Sequence, residues 1–166
     1  MTDIAFRPAN LADESERRFI IDSWVSTYRD SYSAGIIHVR DWYAVMVPQV
    51  ERILAEPDVT TTVAYLPDGP EGADLVGFVV ADVKDAVPLV YYICVKLHYR
   101  RGSRIGIVPG IGRQLLDAIG VDVARPFNYV CETLLVIKLR HLNKIPYAKW
   151  KPLLGRFPKE ERTRRP

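Results

Sequence analysis

Cysteine is scarce in this chain of 166 residues: Cys94 and Cys131 are the only two, and neither lies in a Cys-x-x-Cys or Cys/His pattern. This scarcity excludes a disulfide framework and a cysteine-based metal site. The three histidines share no metal-ligand spacing, so we expect no metal. Both thiols are expected to be buried and reduced, which favours a cytoplasmic location.

Long hydrophobic runs are also missing. The longest, LVGFVVA and VPLVYYICV, have the length of a strand, and the N-terminal residues include acids rather than an apolar signal-peptide core. The sequence therefore predicts neither a transmembrane segment nor a secretion signal, and we expect no membrane partner.

Excess charge is small: the net charge is +3, and part of it lies in the last residues, KEERTRRP. A nucleic-acid-binding domain usually carries a dense stripe of Lys and Arg on one element, so we expect no nucleic-acid partner. The chain length predicts a single domain over residues 1–158, followed by a basic, disordered tail over residues 159–166.

Apolar residues at helical spacing predict two helices in the first third of the chain. The first begins near Asn10, a plausible N-cap, and runs to about Ser31. The second covers residues 39–55, and Pro48 is expected to kink it or restart it.

The rest of the chain alternates between β-rich runs and short helical patterns. Strands are predicted over residues 4–7, VTTTVAYL, DLVGFVVADV, residues 89–97, residues 129–133 and part of YAKWKPLLGRF. Helices are predicted over residues 112–119, ending at Gly120, and over IKLRHLNK. The order β, α, α, β, β, β, α, β, α, β predicts an α/β fold (α+β mixed sheet) with flanking helices. The three-strand meander should be antiparallel, and the strand–helix–strand step after it should be a parallel crossover.

A glycine-rich turn precedes the third helix, in YYICVKLHYRRGSRIGIVPGIGRQLL. Backbone N–H groups at a helix N-terminus can hold a phosphate where no side chain blocks its approach. A P-loop is excluded because no glycine is followed by Lys-Ser or Lys-Thr. A dinucleotide fingerprint fails as well, because Leu115 occupies the position of its third glycine.

The pieces YICVK, YRR and GIGRQLL, with the opening IAFRPANLADESERRFIIDSW, resemble the GCN5-related N-acetyltransferase (GNAT) superfamily, of which small bacteriophage-type members exist. The resemblance covers the body from about Ile4 to Leu154. It implies a GNAT-like acyl-CoA N-acyltransferase fold with three layers, helix, sheet and helix. One segment departs from the family: GSRIGIVP separates Arg101 from Gly110, where the family has a residue or two. Either this loop bulges out and the helix still meets a pyrophosphate, or cofactor binding is lost.

The resemblance implies acetyl-CoA as the cofactor. The strand before the turn would pair with pantetheine through its backbone, and the start of the third helix would hold the pyrophosphate. The cofactor-binding residues implied are Ile93, Cys94, Val95, Lys96, Arg101, Gly110, Ile111, Gly112, Arg113 and Gln114.

Acetyl transfer to an amine needs a base for the ammonium and an acid for the leaving thiolate. The resemblance offers Glu132 as base and Tyr147 as acid. The alternatives are a solvated or salt-bridged glutamate and a tyrosine that packs beside Trp150. Tyr28 and Tyr32 are the candidates for contact with the acceptor, while the other rings of the first two helices are expected in the core.

Three hypotheses follow. The leading one is an acetyl-CoA-dependent N-acetyltransferase that transfers an acetyl group by direct attack of an amine, carried by a small molecule or a protein. The second is a catalytically inactive GNAT-fold protein that serves in binding or assembly, for example in a bacteriophage particle, with a homo-oligomer or another assembly partner left open. The third, a nucleic-acid-binding module, would depend on the arginines of the loop and tail.

Overall fold

A computed structural model describes residues 4–30, 38–67, 74–96, 110–131 and 148–150. Within these ranges one sheet contains the strands β1 (Ala5–Pro8), β2 (Val59–Leu66), β3 (Asp74–Asp82), β4 (Leu89–Val95), β5 (Phe127–Tyr129) and β6 (Ala148–Trp150). Three helices accompany it: α1 (Glu14–Arg29), α2 (Val39–Leu54) and α3 (Ile111–Ala118).

The strands follow one another across the sheet in chain order. β1 to β4 pair antiparallel, whereas β4 with β5 and β5 with β6 pair parallel. The predicted antiparallel meander and the parallel crossover through α3 are therefore both confirmed, as is the mixed α/β fold class.

The core lies on both faces of the sheet. One cluster of buried side chains joins α1 and α2 to one face, with Trp24 and Val50 fully buried in it. A second cluster joins α3 to the opposite face through Leu115. The three-layer arrangement of helix, sheet and helix is thus confirmed. It explains why β3 is a nearly continuous apolar run, since helices cover both of its faces.

The start of α1 differs from the prediction. Asp13, not Asn10, caps the helix, because its carboxylate accepts hydrogen bonds from the N–H groups of Ser15 (2.8 Å) and Glu16 (3.2 Å). Asn10 instead donates its backbone N–H to the buried carboxylate of Glu16 (2.6 Å), which also binds the Arg7 guanidinium at 3.0 and 2.6 Å. We call the contacts of Arg7 and Asn10 with Glu16 the Glu16 clasp; it ties the end of β1 to the first turn of α1. The helix ends at Arg29, slightly before the expected Ser31.

α2 matches its predicted span closely, but Pro48 does not restart it. The helix runs on through Pro48, whose side chain lies on the exposed face, opposite the buried Met46 and Val50. An ion pair between Arg17 of α1 and Glu51 of α2 links the two helices.

The end of α3 is set by Gly120, as expected. Gly120 has φ +77°, its N–H donates to Asp117 O, and the N–H of Val121 donates to Leu116 O, which together form a Schellman motif. The helix begins one residue before the predicted residue 112, at Ile111.

β5 begins two residues earlier than the predicted strand. It covers Phe127–Tyr129 rather than residues 129–133, because Val130 and Cys131 leave the strand. The predicted fourth helix over residues 137–144, the part of the last strand after residue 150 and the basic tail lie outside the described residues.

Candidate active site

A β-bulge interrupts β4 in its middle. Val80 of β3 pairs with Tyr92 and Ala81 pairs with Val90, so Tyr91 is an extra residue on β4. Consequently the side chains of Tyr91 and Tyr92 both join the core cluster beneath α1 and α2 instead of alternating between faces. A bulge of this kind bends a strand and increases its twist.

The described pairing of β4 with β5 ends at this bulge. Their described pairing consists of Leu89 with Asn128 and Val90 with Tyr129, followed by a hydrogen bond from Val130 N–H to Val90 O (3.0 Å). β4 continues to Val95, five residues further, while β5 has already ended at Tyr129. We call the place where this described pairing ends, together with the β4 backbone beyond Val90, the β4/β5 fork.

The N-terminus of α3 packs beside the part of β4 that follows the bulge. A methyl group built on Gly112 would lie 3.7 Å from Cδ1 of Ile93. Gly110 occupies the N-cap position with φ +90°, a left-handed conformation that glycine adopts without strain, and no described atom lies within 4 Å of a methyl group built on it. No side chain caps the helix and its first turn carries no acid. This helix start therefore presents N–H groups without a competing negative charge.

The predicted cofactor-binding side chains of β4 divide between the two faces of the sheet. Ile93 and Val95 pack against the cluster beneath α3. Cys94 lies in the cluster beneath α1, and the Lys96 ammonium lies over the ring of Phe19 on α1. Side chains on opposite faces of the sheet cannot contact one ligand together. If β4 binds a cofactor, the contacts shared along the strand must therefore come from its backbone.

On α3 the predicted residues differ in how much they expose. Ile111 is buried, so only its backbone is available. Gly112 and Gln114 are half-buried. Arg113 is exposed and its guanidinium lies 3.9 Å from the carboxylate of Asp117 one turn on. Four further predicted residues lie outside the described part of the chain: Tyr32, Arg101, Glu132 and Tyr147.

Tyr28, predicted for the acceptor side, is half-buried in a group of rings. Its ring centroid lies 5.4 Å from that of Trp42 and 6.3 Å from that of Tyr92. Tyr92 in turn stacks on Trp24 at 5.1 Å. The strand from Tyr92 to Lys96 was expected to pair with pantetheine through its backbone, but the Tyr92 side chain was given no role in the predicted site. The adjacent pair Tyr91 and Tyr92 within a strand was the available signal, because two large rings in succession fit a bulge better than regular alternation.

The hydroxyl of Tyr92 is held by α1. It lies 2.5 Å from Oγ1 of Thr27, and the Thr27 hydroxyl donates to the carbonyl of Ser23 at 2.5 Å. Because Thr27 has only one hydroxyl proton, Tyr92 is the donor in their shared hydrogen bond. α1 therefore fixes the orientation of the residue that follows the bulge.

Cys131 is not suited to act as a nucleophile. Burial raises the pKa of its thiol to about 12, and the indole of Trp24 opposes only part of that rise. Since the thiolate is the nucleophilic form, the thiol is inert at neutral pH. Both cysteines are free and buried.

No group of three or more His, Cys, Asp or Glu residues that could hold a metal ion occurs in the described ranges. Among the helices described, none is long and apolar enough to cross a membrane.

No protein-family model and no curated protein matches the sequence. Among solved structures, the chain is similar to the PaiA N-acetyltransferase from Thermoplasma acidophilum in complex with coenzyme A, with 16% identity, 71% of this chain and 70% of that chain covered, and a TM-score of 0.46. It is also similar to the aminoglycoside 6′-N-acetyltransferase AAC(6′)-Ih from Acinetobacter baumannii, with 12% identity, 85% and 86% covered, and a TM-score of 0.47. A third is an acetyltransferase assigned to the GNAT family from Desulfovibrio desulfuricans, with 19% identity and a TM-score of 0.40; 70% of this chain aligns with 63% of that chain.

Proposed function

We propose that this chain is an acetyl-CoA-dependent N-acetyltransferase of the GNAT type. The observation that carries the proposal is the combination of the β4/β5 fork with the α3 N-terminus beside it. The fork offers strand backbone to the amides of an extended ligand, and the helix start offers N–H groups to a phosphate. Coenzyme A carries both groups in sequence, because the amides of its extended pantetheine arm are followed by a pyrophosphate.

The charges of the described residues around the start of α3 are also compatible with an anionic cofactor. No described atom lies within 4 Å of a methyl group built on Gly110, and no carboxylate in the first turn of α3 would repel a phosphate. The pyrophosphate would be held by the backbone from Gly110 to Gln114, with the exposed Arg113 free to turn toward it. Arg101 belongs to the same proposal and would add a second guanidinium.

The reaction we propose is direct transfer. Acetyl-CoA supplies an acetyl thioester, the acceptor nitrogen bonds to its carbonyl carbon, and the carbon–sulfur bond breaks. Glu132 would accept the proton that the ammonium loses, directly or through water, and Tyr147 would return a proton to the thiolate. Tyr28 and Tyr32 would contact the acceptor. The inert Cys131 thiol agrees with a reaction that has no covalent enzyme intermediate.

We place the protein in the cytoplasm, or in a virion if it is of phage origin. The two free, buried thiols support a reducing compartment.

A pair of substitutions at Gly112 tests the cofactor site. Gly112→Asn and Gly112→Asp add side chains of nearly equal size, but only Asp adds a charge, and an acid in the first helical turn does not destabilise the helix. In titration calorimetry with acetyl-CoA we expect Gly112→Asp to bind at least about tenfold more weakly than Gly112→Asn, because the carboxylate repels the pyrophosphate. Equal affinities of the two variants for acetyl-CoA would mean that the start of α3 is not part of the cofactor site. Absence of binding to the unmodified protein would favour a non-catalytic binding or assembly role.

A further inference from the structure

Lys96 is the residue directly after β4, and among the described residues its ammonium group lies against a ring and not against a carboxylate. Nζ lies 4.9 Å from the centroid of the Phe19 ring. The residue is half-buried. All ion pairs among the described residues, taken within 4.0 Å, involve other cations. The charge of Lys96 is thus partly withdrawn from water and has no described counter-ion.

The side chain of Lys96 belongs to the face of the sheet that α1 covers. Beyond the bulge, Ile93 and Val95 pack on the α3 side, whereas Tyr92 and Cys94 lie beneath α1. Lys96 continues the second series, as its contact with Phe19 shows. Its ammonium is therefore on the opposite face from the helix that we propose for the pyrophosphate.

One row of α1 lies along this side of β4. Phe19, Ser23 and Thr27 are four residues apart and so share a face of the helix. Thr27 meets Tyr92 at one end and Phe19 meets Lys96 at the other. The seam between α1 and β4 thus has a fixed hydroxyl at one end and a cation at the other.

The acids of α1 near Phe19 are already engaged. Glu16 binds Arg7 at 2.6 Å, and Asp22 lies 3.8 Å from Arg18. Neither therefore serves as the counter-ion of Lys96. A cation that is positioned by a ring and partly desolvated binds an incoming anion at a lower cost than a fully hydrated one.

We propose that the Lys96 side chain recognises an acidic group of the acceptor, so that the acceptor is an amine that also carries a carboxylate or a phosphate. This inference rests on the proposed acetyl transfer. The backbone of Lys96 stays part of the strand that the cofactor would pair with, while its ammonium serves the other substrate. Phe19 is a positioning residue, because it holds the Lys96 side chain against α1.

Two pairs of amines test this in the full-length protein saturated with CoA. β-Alanine is compared with propylamine for the carboxylate, and O-phosphoethanolamine with ethanolamine for the phosphate, by titration calorimetry. We expect the acidic member of at least one pair to bind about tenfold or more tightly than its neutral partner, the usual strength of a charge-assisted contact. Which pair shows the preference identifies the acidic group.

The variants are Lys96→Met, Lys96→Arg and, as a matched control, Lys84→Met. Lys84 lies in the connection between β3 and β4 and pairs with Asp58 on the surface. We expect Lys96→Met to abolish the preference, Lys96→Arg to keep most of it and Lys84→Met to leave it unchanged. The inference is overturned if wild-type protein shows no preference, if the preference survives Lys96→Met, or if Lys96→Met weakens CoA instead.

CoA binding to the wild-type protein is measured first and separates the two claims. If CoA does not bind, the proposed function fails and this inference fails with it. If CoA binds but neither acidic amine is preferred, only the role of Lys96 is wrong.

Discussion

At the scale of single residues, Gly77 shows how closely β3 and β4 approach each other. A methyl group added at Gly77 would lie 2.4 Å from the carbonyl oxygen of Cys94. That oxygen belongs to backbone, which cannot move aside as a flexible side chain would. Gly77 is thus required for the position of β4 just before its end at Val95.

We expect Gly77→Ala to lower the free energy of unfolding by about 2 kcal/mol or more, because the strand must shift to relieve the overlap. Gly112→Ala is the control, since its methyl would make ordinary contact at 3.7 Å with Ile93, and its effect should stay within about 1 kcal/mol. Urea denaturation measures both. A Gly77→Ala variant as stable as Gly112→Ala would mean that β4 does not approach β3 so closely.

The Cys131 thiol makes stability depend on pH on the alkaline side. Its pKa rises from the ordinary value of 9.0 to about 12 on folding because of burial. Between these values the unfolded chain loses the proton and the folded chain keeps it, so stability is complete below 9.0 and falls as pH rises toward about 12.

The slope from this one thiol reaches at most about 1.4 kcal/mol per pH unit. Lysines and tyrosines also titrate in this range, so the comparison is between wild type and Cys131→Ala. We expect the unfolding free energy of wild type to decline more steeply above pH 9.0 than that of the variant. Identical slopes would show that Cys131 is accessible to solvent.

At the scale of elements, the Glu16 clasp joins β1 to α1. Glu16 is 5% exposed, whereas the Arg7 side chain is 35% exposed, so water screens part of their attraction. The pKa of Arg7 is raised chiefly by its hydrogen bond to Glu16, with burial opposing. The clasp also includes the hydrogen bond from the backbone N–H of Asn10 to the Glu16 carboxylate.

We expect Arg7→Met to destabilise the protein by about 2 kcal/mol, since it leaves the buried Glu16 carboxylate without its cation. Arg18→Met removes an exposed arginine 3.8 Å from Asp22 and should cost less than about 0.5 kcal/mol. Thermal unfolding of the two variants gives the comparison. Equal, small losses would mean that the clasp contributes little.

Features set by local sequence were predicted correctly, whereas features set by tertiary contacts were not. α2 and β2 were predicted within a residue, because one apolar stripe or one alternating run defines each element. The N-cap of α1 was not, since Asn10 and Asp13 are both good caps and the choice follows from the tertiary contact of Asn10 with Glu16. The bulge at Tyr91 also escaped, because a bulge is a property of two paired strands, not of one.

The candidate site was predicted less completely than the fold. Gly110 and Gly112 were recognised as a helix start because their chemistry is local to the chain. Which face of the sheet Ile93, Cys94 and Lys96 each point to depends on the bulge and on α1, which are far apart in sequence. Glu132, Tyr147, Arg101 and Tyr32 stay predictions, because they lie outside the described residues.

At the scale of the whole molecule, a ligand that contacts both the β4/β5 fork and the α3 N-terminus would bind only the folded chain, because folding brings these two elements together. Acetyl-CoA at 100 times its dissociation constant should then stabilise the folded chain by about 2.7 kcal/mol. For a chain of this size each kcal/mol raises Tm by about 2–4 °C. S-acetyl-N-acetylcysteamine, which carries the thioester without phosphates, is the control and should give little shift at the same concentration. Equal Tm shifts with the two compounds would mean that the phosphates of acetyl-CoA, and so the α3 N-terminus, contribute little to binding.

The most direct test of the central claim is a crystal structure of the protein with acetyl-CoA. We expect the pyrophosphate to accept hydrogen bonds from the backbone between Gly110 and Gln114, with the pantetheine along β4 and the thioester in the β4/β5 fork. Crystals that hold no cofactor at about 1 mM, the upper end of usual substrate affinities, would contradict the claim. So would a cofactor bound elsewhere on the molecule.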